Sequence, residues 1–254
     1  MLVTLAGVRG HAPRRAGAKM AVSMTSSWGS IGGGNVEAVA IERARAQLAA
    51  GLAAPELVSC ELSGRVSPAF GAQCCGGKVT LLLDPLRPPP AVAIFGVGHI
   101  GLELARILGR LDLELHLIDT RPEMLISERL AVLAGAAASL HLHRVTILPE
   151  SIVAELPAGV HVLVMTHDHE EDLALCDAAL RRADLGSIGL IGSSAKWARF
   201  RKRLAQEAGH DAAAIARIKT PIGLPEITGK DPATIAVSVA ADLLITLERE
   251  GGPT

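Results

Sequence analysis

The sequence predicts an α/β fold in which a Rossmann-like, doubly wound parallel sheet follows a smaller α+β N-terminal domain. Apolar strands alternate with amphipathic helices from residue 92 onward, and Gly96-x-Gly98-x-x-Gly101 lies between the first strand and the first helix of that series. A proline-rich stretch separates this half from a less periodic first half. We therefore predict an N-terminal domain over 1–84, a linker over 85–91 and a Rossmann-like domain over 92–254.

The second half is predicted to run as strand and helix in turn. Short apolar runs predict buried strands, and apolar residues three or four positions apart predict helices. Pro122 favours a helix start, and Asp168 with Glu171 forms a candidate capping box. The predicted strands are 92–95, 113–118, 139–142, 161–165 and 187–191, and the predicted helices are 99–110, one from 122, 149–156, one from the Asp168 cap to 182, 195–207 and 232–249.

The first half is less periodic and is predicted to hold a small sheet. One amphipathic helix is expected over 36–49. The predicted strands are 3–6, 18–23, 57–62 and 78–83.

Composition excludes several classes of protein. The chain has 254 residues, 49% of them hydrophobic, and a formal charge of -1, which describes a soluble globular protein. Because 25 basic residues face 26 acidic ones, no excess positive charge is present to bind nucleic acid. No signal peptide and no apolar run long enough for a membrane is expected. Four cysteines do not form the framework of a small secreted domain, so we expect a cytoplasmic location.

The strongest nucleotide-like motif is the glycine loop, which we define as residues 96–101. Gly96, Gly98 and Gly101 would allow a tight turn and close approach of a phosphate to the helix amides, with His99 beside them. Asp119 ends the next predicted strand and is expected to accept a hydrogen bond from a ribose hydroxyl. The alternative is a Rossmann domain that binds something other than a dinucleotide.

Two further segments follow strands and are expected at the same carboxyl edge. His167 and Asp168 could bind metal or handle protons, although a helix cap that lines the pocket is the favoured interpretation. Gly192 and Ser193 with Lys196 would suit a second phosphate or carboxylate, because backbone amides and a cation come together there.

The first half contributes three loops of unusual composition. Arg14 lies in a basic loop and is a candidate anion clamp. Gly32, Gly33 and Gly34 precede the helix; they are interpreted either as a phosphate cradle or as an ordinary turn. The third loop is the segment Gln73-Cys74-Cys75-Gly76-Gly77, in which adjacent thiols could be soft metal ligands, a redox pair or simply buried apolar groups.

Taken together, these motifs resemble the xanthine dehydrogenase accessory protein family, XdhC, over nearly the whole chain. The matching segments are residues 13–20, the glycine run that ends at Glu37, Gln73–Gly77, the glycine loop, Thr166–His169, Ile188–Ser193 and Gly229–Pro232. Several separate motifs in the same order are far more specific than the glycine loop alone.

The resemblance implies a chaperone of the molybdenum cofactor (Mo-molybdopterin) rather than an enzyme. It implies that the protein holds the cofactor during sulfuration by a cysteine desulfurase, works with cofactor biosynthesis proteins, delivers to apo xanthine dehydrogenase in purine catabolism, and forms a homodimer. Cys74 and Cys75 would lie on the molybdenum side. The implied cofactor-binding set is Arg14, Gly32, Gly33, Gly34, Gln73, Cys74, Cys75, Gly76, Gly77, Gly96, Gly98, His99, Gly101, Asp119, His167, Asp168, Gly192, Ser193 and Lys196.

Two other functions remain open from the residues alone. The glycine loop and Asp119 would serve an NAD-dependent oxidoreductase in which His167 donates a proton. The paired thiols and the histidines would serve a metal-binding redox sensor. The first alternative leaves the cysteine pair unexplained, and the second leaves the glycine loop without a role.

Overall fold

The computed structural model describes residues 1–51, 54–61, 77–86 and 88–251. The chain divides into two compact units, Met1–Pro88 and Pro89–Thr254. The first unit is α+β and the second is a parallel sheet flanked by helices, which confirms the predicted fold class. None of the helices in these described ranges combines the length and apolar character that a bilayer crossing requires.

The first unit is a five-stranded antiparallel sheet with one helix on its buried face. Alternate residues such as Val79, Leu81 and Leu83 point toward that helix and form the core with it. The strand order is β3-β2-β1-β5-β4. The elements are β1 (Leu2–Arg9), β2 (Lys19–Val22), β3 (Ser27–Gly29), α1 (Gly34–Ala49), β4 (Glu56–Glu61) and β5 (Lys78–Asp84).

The second unit is a six-stranded parallel sheet with the order β11-β10-β9-β6-β7-β8. Counted from the first strand of the unit, this is the 6-5-4-1-2-3 order of doubly wound dinucleotide-binding folds. The strands are β6 (Ala91–Phe95), β7 (Glu114–Asp119), β8 (Ser139–Arg144), β9 (His161–Val164), β10 (Ser187–Leu190) and β11 (Ile218–Lys219).

Helices cover both faces of this sheet. Helices α2 and α8 pack on one face, and α4, α5, α6 and α7 pack on the other. The helices are α2 (His99–Leu108), α3 (Ser127–Leu130), α4 (Ser151–Glu155), α5 (His169–Leu180), α6 (Ser194–Gln206), α7 (Ala212–Ile215) and α8 (Pro232–Gly251). Because β6 is buried along its whole length, its sequence reads as a continuous apolar run.

The differences from prediction concern short elements. Pro122 opens a 3-10 turn, Pro122–Leu125, before α3 rather than one continuous helix. The strands β3 and β11 and the helix α7 were not predicted, because two to four residues are too few to show a period. The strand β3 forms by pairing with β2, and β11 forms by pairing with β10.

The strand order creates a crevice between β6 and β9. These neighbours continue to opposite sides of the sheet, so their carboxyl ends mark the topological switch point where such folds bind ligands. The glycine loop follows β6, and residues 165–168 follow β9. Both predicted motifs therefore lie at the crevice.

Two glycines of the loop are required by close backbone packing. A Cβ atom on Gly96, whose φ is +101°, would lie 2.3 Å from the carbonyl oxygen of Met165. A Cβ atom on Gly101 would lie 2.0 Å from the carbonyl oxygen of Gly96. The loop thus packs tightly against the end of β9 on one side and the first turn of α2 on the other.

We predict that Gly101→Ala destabilises the second unit by about 3 kcal/mol or more, because its methyl group would collide with backbone that has no room to move. Urea unfolding followed by circular dichroism measures the change. Gly98→Ala is the matched control: its methyl would have no neighbour nearer than 3.9 Å, so a change below about 1 kcal/mol is expected. Equal stability of the two variants would contradict the packing role of Gly101.

Candidate functional site

The first turn of α2 is open. Gly98 is its N-cap residue with φ of -70°, and no side chain of the described residues accepts a hydrogen bond from the first helical amides. The nearest atom to a Cβ on Gly98 would be Nη2 of Arg121, at 3.9 Å. Neither backbone conformation nor packing requires glycine here, but a ligand phosphate that approaches the amides would. His99 is exposed at the first position of the helix.

Asp119 is buried and both of its oxygens are occupied. Oδ2 accepts hydrogen bonds from the Val97 amide at 2.7 Å and from Nη2 of Arg121 at 2.9 Å, while Oδ1 accepts from Nε of Arg121 at 2.9 Å. Burial opposes ionisation, but these bonds and the guanidinium hold the carboxyl pKa below its usual value. In this structure the Asp119 oxygens hold the glycine loop and Arg121, and its hydrogen bond to a ribose hydroxyl stays a prediction.

Two arginines that sequence reasoning missed border the glycine loop. Arg121 lies beside Gly98 and is held by Asp119. Arg129 donates from Nη2 to the carbonyl oxygen of Val97 at 3.1 Å, and its Nε is buried with no partner among the described residues. These guanidinium groups and the amides of the first turn of α2 form a candidate anion site. Arg121, two residues past a strand end, could have been found from the rule that ligands bind at that edge.

Asp168 acts as the N-cap of α5. Its Oδ1 accepts from the amides of Glu170 at 2.6 Å and Glu171 at 3.2 Å, as predicted. A capping box also requires a hydrogen bond from the Asp168 amide to the Glu171 side chain. That part of the prediction is wrong, because the Asp168 amide donates to Oγ1 of Thr166 instead. His167 is exposed at this turn.

Glu171 faces the crevice instead of closing the capping box. Its Oε2 accepts from Oγ1 of Thr120 at 3.0 Å, across the switch point. Burial, together with the nearby carboxylates of Asp119 and Asp172, raises the pKa of Glu171, while Thr120 and His167 oppose that rise. The crevice therefore holds a carboxyl group that can exchange a proton or accept hydrogen bonds.

Lys196 is buried and paired with the buried carboxylate of Asp172, and its Nζ also donates to the Ile191 carbonyl oxygen at 2.9 Å. Asp172 in turn accepts from the amide and Oγ1 of Thr166, at 3.0 and 2.8 Å. Asp172 is thus the counter-ion of Lys196, and the pair joins α5 to α6. That Lys196 binds an anion stays a prediction.

Gly192 and Ser193 support the same pair. A Cβ on Gly192 would lie 2.7 Å from Cδ of Lys196, so glycine leaves room for the lysine stem. Ser193 caps α6 by accepting from the Lys196 amide at 3.2 Å. These contacts show how Gly192 and Ser193 serve the fold, and the second anion loop stays a prediction.

The segment that leads into α1 bonds a carboxylate of the chain itself. Oε2 of Glu37 accepts from the amides of Gly33 at 2.9 Å and Ile31 at 3.2 Å and from Oγ of Ser30 at 2.7 Å. Although burial opposes it, this set of donors lowers the pKa of Glu37. Glu37 therefore occupies the amide of Gly33, which favours the turn interpretation of Gly32, Gly33 and Gly34 over the phosphate cradle.

Arg14 is exposed next to this glycine run. A Cβ on Gly32 would lie 2.7 Å from Cγ of Pro13 and 3.5 Å from Cγ of Arg14. The basic loop and the glycine run, which are separate segments of the sequence, are therefore neighbours in the structure. The guanidinium of Arg14 remains available for the predicted anion contact.

The cysteine motif is described only at its last residue. Gln73, Cys74, Cys75 and Gly76 lie outside the described residues. A Cβ on Gly77 would lie 2.3 Å from the carbonyl oxygen of His11, so glycine is required where this segment meets the basic loop.

The two described cysteines have little thiolate character. Cys60 is half-buried in β4, and burial raises the pKa of its thiol. Cys176 is fully buried, and burial with the charge of Asp172 raises its pKa to about 12. Neither is a suitable nucleophile or metal ligand at neutral pH.

Comparison with known families identifies the chain. The family model described as the XdhC Rossmann domain matches residues 92–243, and the model described as the XdhC and CoxI family matches residues 1–59. The chain belongs to the XdhC family. The glycine loop, Arg121, Glu171 and the Lys196 pair all lie inside the matched Rossmann segment of this XdhC protein.

Two similar proteins come from Escherichia coli (strain K12). The chain is 26% identical over 236 residues to the uncharacterized protein YqeB, which covers 93% of the chain and 41% of YqeB. The chain thus spans less than half the length of that relative. It is also 27% identical over 274 residues to the molybdenum cofactor insertion chaperone PaoD, covering 96% of the chain and 82% of PaoD.

Two solved structures are similar at low identity. A crystal structure of a xanthine dehydrogenase from Bacillus halodurans matches with a TM-score of 0.49 and 18% identity, over 97% of this chain and 90% of that one. The tRNA N6-threonylcarbamoyladenosine dehydratase TcdA of Escherichia coli matches with a TM-score of 0.44 and 14% identity, over 62% of this chain and 86% of that one. At these scores neither likeness carries a functional inference.

Removing the Lys196 charge should leave the buried Asp172 carboxylate without its counter-ion. We predict that Lys196→Met lowers the free energy of unfolding by about 3–5 kcal/mol, because Asp172 would remain buried without its cation. The double variant with Asp172→Asn should recover part of that loss. Arg203→Met, on the same helix but paired with the exposed Glu170, is the control and should cost less than about 1 kcal/mol. Similar losses in Lys196→Met and Arg203→Met, measured by urea unfolding, would refute the assigned role.

Asp119 should contribute to stability in a pH-dependent way. Its folded pKa lies below the ordinary value of 3.8, so the unfolded chain binds this proton more readily. The contribution is therefore complete above that ordinary value and is lost as the pH falls through the folded pKa. Urea unfolding of wild type and Asp119→Asn between neutral and acid pH should show a steeper loss for wild type below about pH 4. Parallel curves would argue against this linkage.

Proposed function

We propose that this XdhC protein is a non-catalytic carrier that binds the molybdenum cofactor and delivers it to an apo molybdenum hydroxylase of the xanthine dehydrogenase type. The observation that carries the proposal is the open first turn of α2, flanked by the guanidinium groups of Arg121 and Arg129. Family membership and the similarity to PaoD, named as a molybdenum cofactor insertion chaperone, support it.

The chemistry of the cofactor suits this crevice. Molybdopterin ends in a phosphate, which open helix amides and two arginines would bind through charge-assisted hydrogen bonds. Its pterin ring presents N–H donors, for which the Glu171 carboxyl across the crevice is an acceptor. In this proposal the phosphate lies over Gly98, and the absence of a side chain there permits its approach.

The thiols supply the second part of the proposal. Because the pKa values of Cys60 and Cys176 are raised, any thiol chemistry at neutral pH falls to Cys74 and Cys75, which we place on the molybdenum side of the cofactor. Sulfuration by a cysteine desulfurase while the cofactor is held here, and a homodimeric carrier, belong to the same proposal.

The dehydrogenase alternative is less well supported. NAD binding in Rossmann domains uses an acidic residue at the position of Asp119 to accept a ribose hydroxyl. Here that carboxylate is buried and holds Val97 and Arg121. An oxidoreductase would have to give up these bonds to bind its cofactor.

We predict that protein purified from a molybdopterin-producing host carries both pterin and molybdenum, and that Gly98→Ala lowers both at least about 10-fold by excluding the phosphate. Oxidation to a fluorescent pterin, with elemental analysis, provides the measurement. Arg129→Gln should weaken binding to a similar degree. The controls are Gly7→Ala, whose methyl would have no neighbour nearer than 3.7 Å, and Arg106→Gln, on the exposed side of α2.

Several outcomes would decide against parts of the scheme. Unchanged pterin in Gly98→Ala and Arg129→Gln would place the phosphate elsewhere. Bound NAD or NADP without pterin would favour the dehydrogenase. Cys74→Ala and Cys75→Ala proteins that retain full cofactor binding and full activation of apo xanthine dehydrogenase would remove the thiols from the mechanism.

A further inference from the structure

Three histidines gather on one face of β7 and β8, at the outer edge of the parallel sheet. His116 of β7 is the register partner of His141 in β8, and His143 lies two residues further along the same strand. The His116 ring stacks on His141 with centroids 4.6 Å apart and on His143 with centroids 5.3 Å apart. None of these side chains takes part in the crevice described above.

His116 is buried with an unpartnered ring nitrogen. The residue is 8% exposed, and its Nε2 has no hydrogen-bond partner among the described residues. Its Nδ1 lies 3.0 Å from Nε2 of His143, so one ring donates to the other. A buried nitrogen without a partner is costly, and native proteins rarely leave one unexplained.

The surroundings keep the His116 ring neutral. Burial, assisted by the charges of His141 and His143, lowers its pKa to about 4. If Nδ1 carries the proton and donates to His143, the buried Nε2 keeps a lone pair. This is the form in which imidazole binds metal, and a hydrogen bond from the second nitrogen is the usual means of fixing it.

A carboxylate completes the set of donors. Glu114 lies two residues before His116 on the same face of β7, and one ligand atom each from Glu114, His116 and His141 lie within 4.8 Å of one another. In a tetrahedral zinc site such atoms are about 3.4 Å apart, given bonds of about 2.1 Å. Since His141 is exposed and Glu114 is half-buried, rotation of these side chains can close that gap.

We infer that Glu114, His116 and His141 form a binding site for a divalent transition-metal ion of the zinc class, with His143 positioning His116. Two imidazoles and one carboxylate select such an ion over calcium or magnesium, which prefer oxygen ligands alone. The site joins the edge strand β8 to β7. It does not depend on the proposed cofactor function, since His116 lies three residues, about 10 Å, before the carboxyl end of β7 and on the opposite face from Asp119.

Cobalt is the most informative probe, because its visible absorption reports the ligands. The experiment uses the chelator-stripped full chain with Cys74→Ser and Cys75→Ser, so that thiols cannot bind the ion. Stoichiometric titration with Co²⁺ should saturate at one ion per chain and show d–d bands without thiolate charge transfer. Zinc should displace the cobalt and raise the Tm by about 4 °C or more.

Variants of the accessible ligands separate binding from folding. His141→Gln and Glu114→Gln should each lower cobalt affinity at least about 100-fold with unchanged circular dichroism, because each loses a direct ligand. His143→Asn should lower affinity about 10-fold, keep the d–d bands, and change the protonated nitrogen of His116 seen by nitrogen-15 NMR. His11→Gln, an exposed histidine of the other unit, is the matched control and should bind as before.

Two results would overturn the inference. One is the absence of stoichiometric cobalt binding to the thiol-free chain. The other is binding that survives in both His141→Gln and Glu114→Gln, which would place the ion elsewhere. Neither result depends on the pterin content of the protein. Failure of the metal-site inference and failure of the carrier proposal are therefore separate observations.

Discussion

The carboxylate of Asp119 is the interaction on which the candidate site depends. One oxygen fixes the Val97 amide and so holds the glycine loop over the end of β7, while both oxygens hold the guanidinium of Arg121 beside Gly98. Because the carboxylate is buried, the low dielectric of the protein interior makes these hydrogen bonds stronger than they would be in water. The same carboxylate that marks a dinucleotide fold thus holds the glycine loop and Arg121 in this structure.

Internal partners explain why the other predicted anion loops are closed. Glu37 fills the amides before α1, Asp168 caps α5, and Ser193 caps α6 while Lys196 is neutralised by Asp172. Each loop has the composition of a phosphate site, but in each the chain supplies its own acceptor or counter-ion. Among the described residues, no side chain accepts from the first turn of α2, and Arg121 and Arg129 lie nearby, so this turn is the candidate anion position of the second unit.

The sequence predicted the long elements and the position of the glycine loop, because period and glycine spacing are local properties. Prediction from the sequence failed where a residue far away along the chain decides the role of a side chain. Asp172 precedes Lys196 by 24 residues, so nothing near the lysine indicates that its charge is used. The stacking of His116 on His141 likewise depends on the pairing of β7 with β8, which spacing alone does not reveal. The capping-box error has the same origin, since the Glu171 side chain bonds Thr120 and the Asp168 amide bonds Thr166.

Buried polar atoms without partners show where the second unit is incomplete. Its buried charges at Asp119, Asp172 and Lys196 are all paired, so the fold has no general difficulty in satisfying such groups. Among the described residues of this unit, Oγ1 of Thr220 and two nitrogens, Nε of Arg129 and Nε2 of His116, nevertheless remain without partners. The first nitrogen belongs to an arginine that also donates to the Val97 carbonyl oxygen of the glycine loop, and as a donor it suits an anion. The second lies among imidazoles and a carboxylate and suits a cation. The opposite chemistry of the two positions is what physical reasoning expects if each is completed by a different ligand from outside the chain.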